Sequence, residues 1–368
     1  MSKIGKPMGR GRRRPLRDVV VLTAATLILL AGVATVVLAP TTKPPKVKLP
    51  PLALPSPTAE PLRSTGPDQV LGWVPSRLPM RVATANLYQR LSWPRAAADL
   101  ERLMDDNTDV IGLNEITPRR AAQIKSWLPS ASNWHFYAPP TTPTPFRVSN
   151  SLLWNDARLK LLDSGSEFGS KSATRKYAVD SRWITWAKFR VKKSGTQLYF
   201  LVTHMDPAVE RAGVPRPNAT VAANLAYMDK LKAFVPELLK ADKHGVFATN
   251  VVIVGDWNVN ALADRKVQAA RLPFVSLEGR GEGPIISNYS ALGFTFAPTS
   301  TKSRRWIDYI ALWAHLPEGS PDLTFNKQYS PKGGYSDHNP VIADLVLDYR
   351  TLKQVEQPLP PTPLPSPS

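Results

Sequence analysis

The sequence predicts an α/β domain, and two observations support that prediction. Short apolar segments rich in β-branched residues alternate with stretches whose apolar residues recur at helical spacing. Polar residues able to do chemistry stand repeatedly where the apolar segments end, as ligand-binding residues do in α/β architectures. The 368 residues, 43% of them hydrophobic, are enough for one large core or two modest ones. The absence of cysteine excludes disulfide bonds and thiolate metal sites.

The N-terminal segment predicts a membrane anchor. Residues 1–18 are strongly basic, and we expect them on the cytoplasmic side of a membrane. Residues 19–39 carry no charge, and as a helix they would span about 31 Å, the thickness of the bilayer hydrocarbon. A cleavable signal peptide is the alternative, because residues 37–39 resemble a cleavage site, although the apolar run exceeds the usual core of about 7–15 residues. Both interpretations place the rest of the chain outside the cytoplasm.

Two proline-rich segments delimit the folded part. Residues 40–69 are predicted to be an extended linker and residues 353–368 a disordered tail, so the domain lies between residues 70 and 352. Of 47 basic and 29 acidic residues, 11 and 3 lie in residues 1–70, so the remainder keeps a surplus of 10 positive charges. That surplus favours polyanionic partners such as nucleic acid or anionic lipid headgroups, and a merely solvated basic surface is the alternative.

Strands and helices alternate from the start of the domain. The elements predicted for its first half are a strand over residues 80–87, a helix over 92–106, a strand over 109–116, a helix over 119–128 and a hairpin of residues 150–156 and 158–165. Ser92 suits the N-cap of the first helix, and Pro94 suits its first turn.

The second half continues the alternation. Its predicted elements are strands over residues 181–192 and 196–207, a helix over 218–241, a strand over 251–254, and apolar segments over 304–312 and 335–347. Pro236 is predicted to interrupt the helix. Residues 261–303 are predicted to be rich in loops, and their glycine-rich segment 279–283 lacks the spacing of a phosphate-binding loop.

The candidate functional residues are the polar side chains at the ends of these strands. They are Asn86, Glu115, His204, Asp256, Asn258, Asp308, Asp337 and His338. Each one alone has an ordinary structural explanation, such as a turn, a helix cap or an ion pair of Asp308 with Arg304 or Arg305. Their repetition at strand ends predicts a shared site outside the sheet edge.

Six short stretches resemble, in order and spacing, the signature motifs of the endonuclease/exonuclease/phosphatase superfamily. They are TANL (84–87), LNEI (113–116), THMDP (203–207), VGDWNVN (254–260), WIDYI (306–310) and SDHNP (336–340). The resemblance covers residues 80–346, nearly the whole predicted domain. It implies a four-layer α/β sandwich, in which two mixed β-sheets pack face to face between helices, and it implies metal-dependent hydrolysis of phosphoesters.

The resemblance also implies a set of metal ligands. Glu115 would be the principal carboxylate, assisted by Asn86, with Asp337 as a further ligand. Oxygen donors of this kind suit Mg²⁺ or Mn²⁺ and not zinc.

The remaining motif residues would carry the chemistry. Asp256 would orient or deprotonate the attacking water, and Asn258 would hold a phosphate oxygen. His338, held by Asp308, would act as general base or as a cation bonded to the phosphoryl group, and His204 would donate a proton or hydrogen bond from the opposite side. Phosphodiester hydrolysis needs these types because charge must be neutralised, a water aligned in line and two protons managed.

His204 departs from one branch of the resemblance and raises a question. A histidine at this position is closer to the deoxyribonuclease I and sphingomyelinase branches than to abasic-site repair enzymes, which usually have tyrosine there. Deoxyribonuclease I-like proteins support such a histidine with a glutamate from the preceding strand pair. Residues 136–154, where that glutamate would lie, contain no acid. Asn150 and Asp206 are the alternative partners. The other three histidines are predicted to be structural or exposed.

Three functions follow from this reasoning. The first is a membrane-tethered, extracytoplasmic, Mg²⁺-dependent phosphodiesterase acting on nucleic acid, which the basic domain and the histidine favour. The second is the same chemistry on a phospholipid or another small phosphoester. The third is a non-catalytic binding module on the same fold, against which the complete set of acids argues. We expect a monomer, and the sequence indicates no protein partner.

Overall fold

Two six-stranded mixed β-sheets form the body of the protein, as a computed structural model shows it. The structure describes residues 69–128, 132–140, 149–173, 181–207, 209–211, 214–215, 218–241, 249–264, 277–279, 282–316 and 321–356. Across the first sheet the strands run β13 (Asp322–Tyr329), β14 (Val341–Glu356), β1 (Gln69–Asn86), β2 (Val110–Ile116), β4 (Ser149–Asn155) and β3 (Trp134–Tyr137). Across the second they run β11 (Ile285–Ser287), β12 (Asp308–Trp313), β10 (Thr249–Asp256), β7 (Gln197–His204), β6 (Ser181–Val191) and β5 (Leu159–Lys171).

Helices cover the outer face of each sheet. The helices are α1 (Trp93–Asp105), α2 (Pro118–Trp127), α3 (Asn218–Ala241) and the short α4 (Ala261–Asp264) and α5 (Asn288–Leu292); a two-stranded ribbon joins β8 (Glu210–Arg211) to β9 (Val214–Pro215). Three buried apolar clusters separate the layers. One packs α1 and α2 on the first sheet, one lies between the sheets, and one packs α3 on the second sheet. The expected pair of mixed sheets packed together is therefore confirmed.

Both sheets contain one central parallel pair, and this feature positions the site. β1 runs parallel to β2 in the first sheet, and β7 runs parallel to β10 in the second. The neighbours β14 and β12 are antiparallel to these pairs, so they begin at the edge where the parallel strands end. The carboxyl ends of four strands and the amino ends of two therefore meet at one edge of the molecule.

Two predicted features of the fold are wrong. Residues 150–156 and 158–165 do not form a hairpin, because β4 pairs with β2 and β3 in the first sheet whereas β5 pairs with β6 in the second. Pro236 does not interrupt α3, which continues from Asn218 to Ala241. Burial of Val235 and Leu238 against the second sheet holds the helix together on both sides of the proline.

Strand pairing extends slightly beyond the predicted limits of the domain. β1 and β14 pair from Gln69 with Glu356 onward, so regular structure extends beyond the predicted range of 70–352 at both ends. β13 was missed because only Leu323, Phe325 and Tyr329 give it an apolar pattern. The predicted anchor over residues 19–39, the proline-rich linker and most of the tail lie outside the described residues. Within the described part of the chain, the helices are too short or too polar to cross a membrane.

Candidate active site

Glu115 reaches the site through a local distortion of β2. The pairing of β2 with β4 shifts register between Leu113 and Ile116, and Glu115 has a left-handed backbone with φ of 61°. Bulges of this kind redirect a side chain and are frequent beside active sites. The Glu115 carboxylate accepts hydrogen bonds from Asn86 Nδ2 at 3.3 Å and from the backbone N–H of Gln89 at 2.8 Å. The bulge thus directs the carboxylate toward the end of β1.

A buried asparagine joins the two sheets immediately beneath the site. Asn114 Nδ2 donates to Asn150 Oδ1 and to the carbonyl of Thr203, both at 2.9 Å, and Asn114 Oδ1 accepts from the N–H of Asp256 at 2.8 Å. Asn114 lies on β2, whereas Thr203 and Asp256 lie on the second sheet. The amide therefore sets the separation between the carboxylates of Glu115 and Asp256. Asn114 is not among the functional residues predicted from the sequence.

Asp256 is the centre of the cluster. Its Oδ2 lies 3.1 Å from Asn86 Nδ2, 3.6 Å from His204 Nε2 and 3.9 Å from His338 Nε2. The preceding Gly255 is required, because a Cβ there would stand 1.9 Å from the Thr203 carbonyl oxygen and its φ is 142°. Motif residues of the two sheets therefore converge on one carboxylate oxygen.

The aromatic residues that follow Asp256 and Asp308 in their motifs pack against each other. Trp257 is fully buried and stacks on Tyr309 with ring centroids 4.6 Å apart and an interplanar angle of 8°. The backbone N–H of Trp257 donates to the carbonyl of Ile307 at 2.8 Å. This packing ties the end of β10 to the start of β12 and so places Asp256 opposite Asp308.

His338 is held by a buried carboxylate. Its Nδ1 lies 2.9 Å from Asp308 Oδ2, and the Asp308 side chain is 1% exposed. Although burial lowers the pKa of His338, the charges of Asp308 and Asp256 raise it to about 10. The imidazole is therefore a cation at neutral pH, with Nε2 directed toward Asp256.

The second histidine, His204, is uncharged at neutral pH. Burial, followed by the positive charges of Arg182 and His338, holds the pKa of His204 well below its usual value, so this imidazole is neutral. Burial raises the pKa of Asp256 to about 7, even though His338 opposes the shift. Titratable groups whose pKa values are separated in this way are the usual mark of acid and base pairs in active sites.

The structure answers the question of the partner of His204. Asp206 does not contact its imidazole, because its Oδ1 accepts from Arg182 Nε at 2.8 Å and from Ser172 Oγ at 2.6 Å. Asn150 does not contact it either, since its amide donates to the carbonyls of Trp183 and Val202. Among the described residues the acid nearest to His204 is Asp256, at 3.6 Å. Among the described residues, neither alternative from the sequence is hydrogen-bonded to His204.

Asn258 and Asp337 lie at the periphery of the cluster. Asn258 has a φ of 55°, its N–H donates to Asp256 Oδ1 at 2.8 Å, and its Nδ2 donates to the carbonyl of Met205 at 3.0 Å. Asp337 Oδ2 accepts from Lys302 Nζ at 2.9 Å, and Lys302 lies 4.5 Å over the ring of Tyr88. The ammonium thus occupies one oxygen of the proposed metal ligand Asp337.

The donor set fits a hard divalent cation. Ligand atoms of Asp256, Asp308 and His338 lie within 4.8 Å of one another and could hold an ion once His338 gives up its proton. The Glu115 carboxylate lies beside Asn86 Nδ2, whereas Asn86 Oδ1 accepts from the N–H of Tyr88. Asp308 Oδ1 is buried and has no hydrogen-bond partner within the described residues, so it has capacity for an additional donor or cation. Oxygen atoms dominate these groups, which favours Mg²⁺ or Mn²⁺ over zinc.

No protein-family model and no curated protein sequence matches the chain. Solved structures do match. An endonuclease/exonuclease/phosphatase family protein from Bacteroides thetaiotaomicron is 16% identical, with a TM-score of 0.53, over 75% of this chain and 96% of that one. A mannosyl-6-phosphatase from the same organism is 16% identical, with a TM-score of 0.52, over 72% and 99%.

A third similar structure carries nucleic acid. It is D. rerio TDP2 complexed with single strand DNA product, which is 16% identical, with a TM-score of 0.51, over 73% of this chain and 98% of that chain. In each of the three matches, almost the whole length of the solved structure is aligned with this chain. The sequence identities are low, so the matches establish architecture alone. The resemblance drawn from the six motifs is confirmed at that level: the chain has the endonuclease/exonuclease/phosphatase fold.

Proposed function

We propose that the protein is a divalent-metal-dependent phosphodiesterase that hydrolyses nucleic acid. The observation that carries the proposal is the position of Asp256 Oδ2 within 3.1–3.9 Å of Asn86, His204 and His338. The two imidazoles differ in charge, and Asp256 has a pKa of about 7, so a proton acceptor and a proton or hydrogen-bond donor stand side by side at neutral pH.

Each side chain of the site has a separate role in the proposed reaction. A cation bound at Glu115 and Asn86 would supply charge neutralisation and polarise the phosphoryl oxygens. Asp256 accepts the proton of the attacking water and orients that water in line with the leaving group. His338, as an imidazolium held by Asp308, donates a hydrogen bond from Nε2 to a phosphoryl oxygen, and the second amide hydrogen of Asn258 donates to another. His204, which is neutral, donates a hydrogen bond from Nε2–H to the leaving oxygen, and that oxygen takes the proton that Asp256 received from the water.

The preference for nucleic acid rests on charge and on one similar structure. The chain beyond residue 70 carries a surplus of 10 positive charges, and TDP2, which shares the fold, was solved with single strand DNA product. A phospholipid or another small phosphoester is the second candidate, because residues 19–39 would place the domain beside a bilayer and because a mannosyl-6-phosphatase shares the fold. A non-catalytic binding module is the third candidate.

A substrate comparison tests the proposal. The 368-residue chain is incubated with plasmid DNA, a single-stranded oligonucleotide, sphingomyelin vesicles or bis(p-nitrophenyl) phosphate, each with Mg²⁺ and with EDTA. We expect Mg²⁺-dependent cleavage of DNA that Glu115→Gln and His338→Gln abolish, whereas Glu101→Gln, an exposed acid on α1, retains it. Cleavage of sphingomyelin alone would favour the second candidate, and inactivity toward every substrate would favour the third.

We also propose that residues 19–39 anchor the chain in a membrane, with the N terminus inside and the catalytic domain outside. The basic residues before the apolar run support this orientation. Because the chain has no cysteine, single-cysteine variants report topology directly. We expect a membrane-impermeant maleimide to label Ser366→Cys but not Ser2→Cys in intact cells. Loss of the first 39 residues from the mature chain, seen by mass spectrometry, would indicate a secreted protein instead.

A further inference from the structure

Tyr335 is an exposed aromatic side chain that immediately precedes the motif carrying Asp337 and His338. Its relative exposure is 48%, the largest among the exposed large apolar side chains of the described residues. Isolated apolar residues at a surface need no explanation by themselves. Tyr335 differs from such residues, because hydrogen bonds fix its backbone in place and positive charges surround its ring.

Helix α1 fixes the backbone on both sides of the ring. The Asp99 carboxylate accepts from the N–H groups of Tyr335 and Ser336, at 3.0 and 3.1 Å. Ser336 Oγ donates to the carbonyl of Asn86 at 2.6 Å, and Arg102 donates to the carbonyl of Gly333. The exposed ring is therefore preorganised at a fixed position relative to the candidate active site, which lowers the entropic cost of binding a ligand there.

Two guanidinium groups lie over the ring. Arg95 and Arg102 are two helical turns apart on one face of α1, and the Cζ of each lies 5.5 Å from the centroid of Tyr335. The one acid among them, Asp99, has a side chain only 10% exposed; it accepts from backbone N–H groups, and its Oδ1 lies 3.6 Å from Arg102 Nη1. Lys332 adds a further exposed positive charge in the same loop.

We propose that Tyr335, Arg95 and Arg102 form a stacking platform for a base of single-stranded nucleic acid; this inference rests on the proposed function and names its substrate class. Single-stranded nucleic acid is bound by aromatic faces that stack on bases and by cations that contact the backbone. Duplex bases are already stacked on each other, so a single exposed ring would not reach them. A phospholipid has no aromatic face to stack on Tyr335.

Binding in EDTA separates stacking from hydrolysis. The anisotropy of two labelled oligonucleotides is measured with the 368-residue chain: octathymidylate, and an abasic strand of the same length and charge. We expect tighter binding of octathymidylate, a loss of about tenfold in Tyr335→Leu confined to that strand, and retention in Tyr335→Phe. Arg95→Gln and Arg102→Gln should weaken both strands. Arg190→Gln should weaken neither, because Arg190 is exposed and pairs with Gln197 at the start of β7, whereas His204 lies at the other end of that strand.

The outcomes distinguish the platform from the proposed function. Equal affinities of the wild-type chain for the two strands, or a loss in Tyr335→Leu that is the same for both, overturn the platform. Tyr335→Leu is checked for folding by thermal unfolding, and if that variant is unstable the comparison of the two strands with the wild-type chain still decides. Mg²⁺-dependent hydrolysis of bis(p-nitrophenyl) phosphate by the wild-type chain reports the chemistry separately, since that small diester does not need the platform.

Discussion

The buried ion pair of Arg182 and Asp206 offers a quantitative test of how the second sheet supports the site. The side chains are 8% and 0% exposed, and Arg182 Nε lies 2.8 Å from Asp206 Oδ1. Ser172 Oγ and the N–H of Ala173 also donate to this carboxylate. Arg182→Met would leave a charge buried with two neutral donors, and removal of one partner of a buried pair typically costs about 3–5 kcal/mol. We expect the lower end of that range, about 3 kcal/mol, because the two neutral donors remain.

Urea unfolding of the 368-residue chain measures this cost. Arg190→Met is the matched control, because Arg190 is an exposed arginine on the same strand, and its change should stay within about 0.5 kcal/mol. Combining Arg182→Met with Asp206→Leu removes both charges and should recover part of the loss, which gives a coupling energy of about 1–3 kcal/mol. A coupling near zero, or a loss no larger than that of the control, would refute the reasoning.

The same substitution has a chemical consequence. After burial, the charge of Arg182 is the largest cause that lowers the pKa of His204. Arg182→Met should therefore raise the pKa of His204 without restoring its ordinary value, since burial persists. The histidine resonances followed by NMR against pH in EDTA would measure the change. An unaltered titration of His204 would mean that Arg182 acts on stability alone.

Three further predictions concern the site and its support. Glu115→Gln should weaken Mg²⁺ binding, measured by calorimetry, by tenfold or more, whereas the exposed Glu101→Gln should not. His338 has a folded-state pKa of about 10 against an ordinary 6.5. Its protonation therefore stabilises the folded chain fully below pH 6.5, and that contribution is lost as pH rises through about 10. In EDTA, the loss of stability that urea unfolding measures for His338→Gln should shrink over this range, and a constant loss would contradict the assignment. Gly255→Ala should lower the free energy of unfolding by about 1–3 kcal/mol in thermal unfolding, because its Cβ would stand 1.9 Å from the Thr203 carbonyl oxygen. Gly195 has a positive φ but open space around it, so Gly195→Ala should cost less in that experiment.

The sequence predicted those parts of the fold that depend on short-range patterns. The strands ending near Asn86, Glu115 and Asp256 were found because their apolar runs and terminal polar residues are local features. The β4–β5 hairpin was predicted wrongly because two adjacent apolar strands look the same whether they pair with each other or lie in different sheets. Periodicity reports which face of a strand is buried, but not which strand lies beside it.

The candidate site shows the same division. The sequence by itself determined which side chains are available, because a carboxylate, an amide or an imidazole at the end of an apolar strand is written into the local pattern. Only the tertiary structure decided the distances and the charge states. The Asn114 bridge between the sheets and the pairing of Asp206 with Arg182 join residues far apart in the chain. The neutral state of His204 and the positive charge of His338 arise from burial and from neighbouring charges, which exist only when the two sheets are packed together.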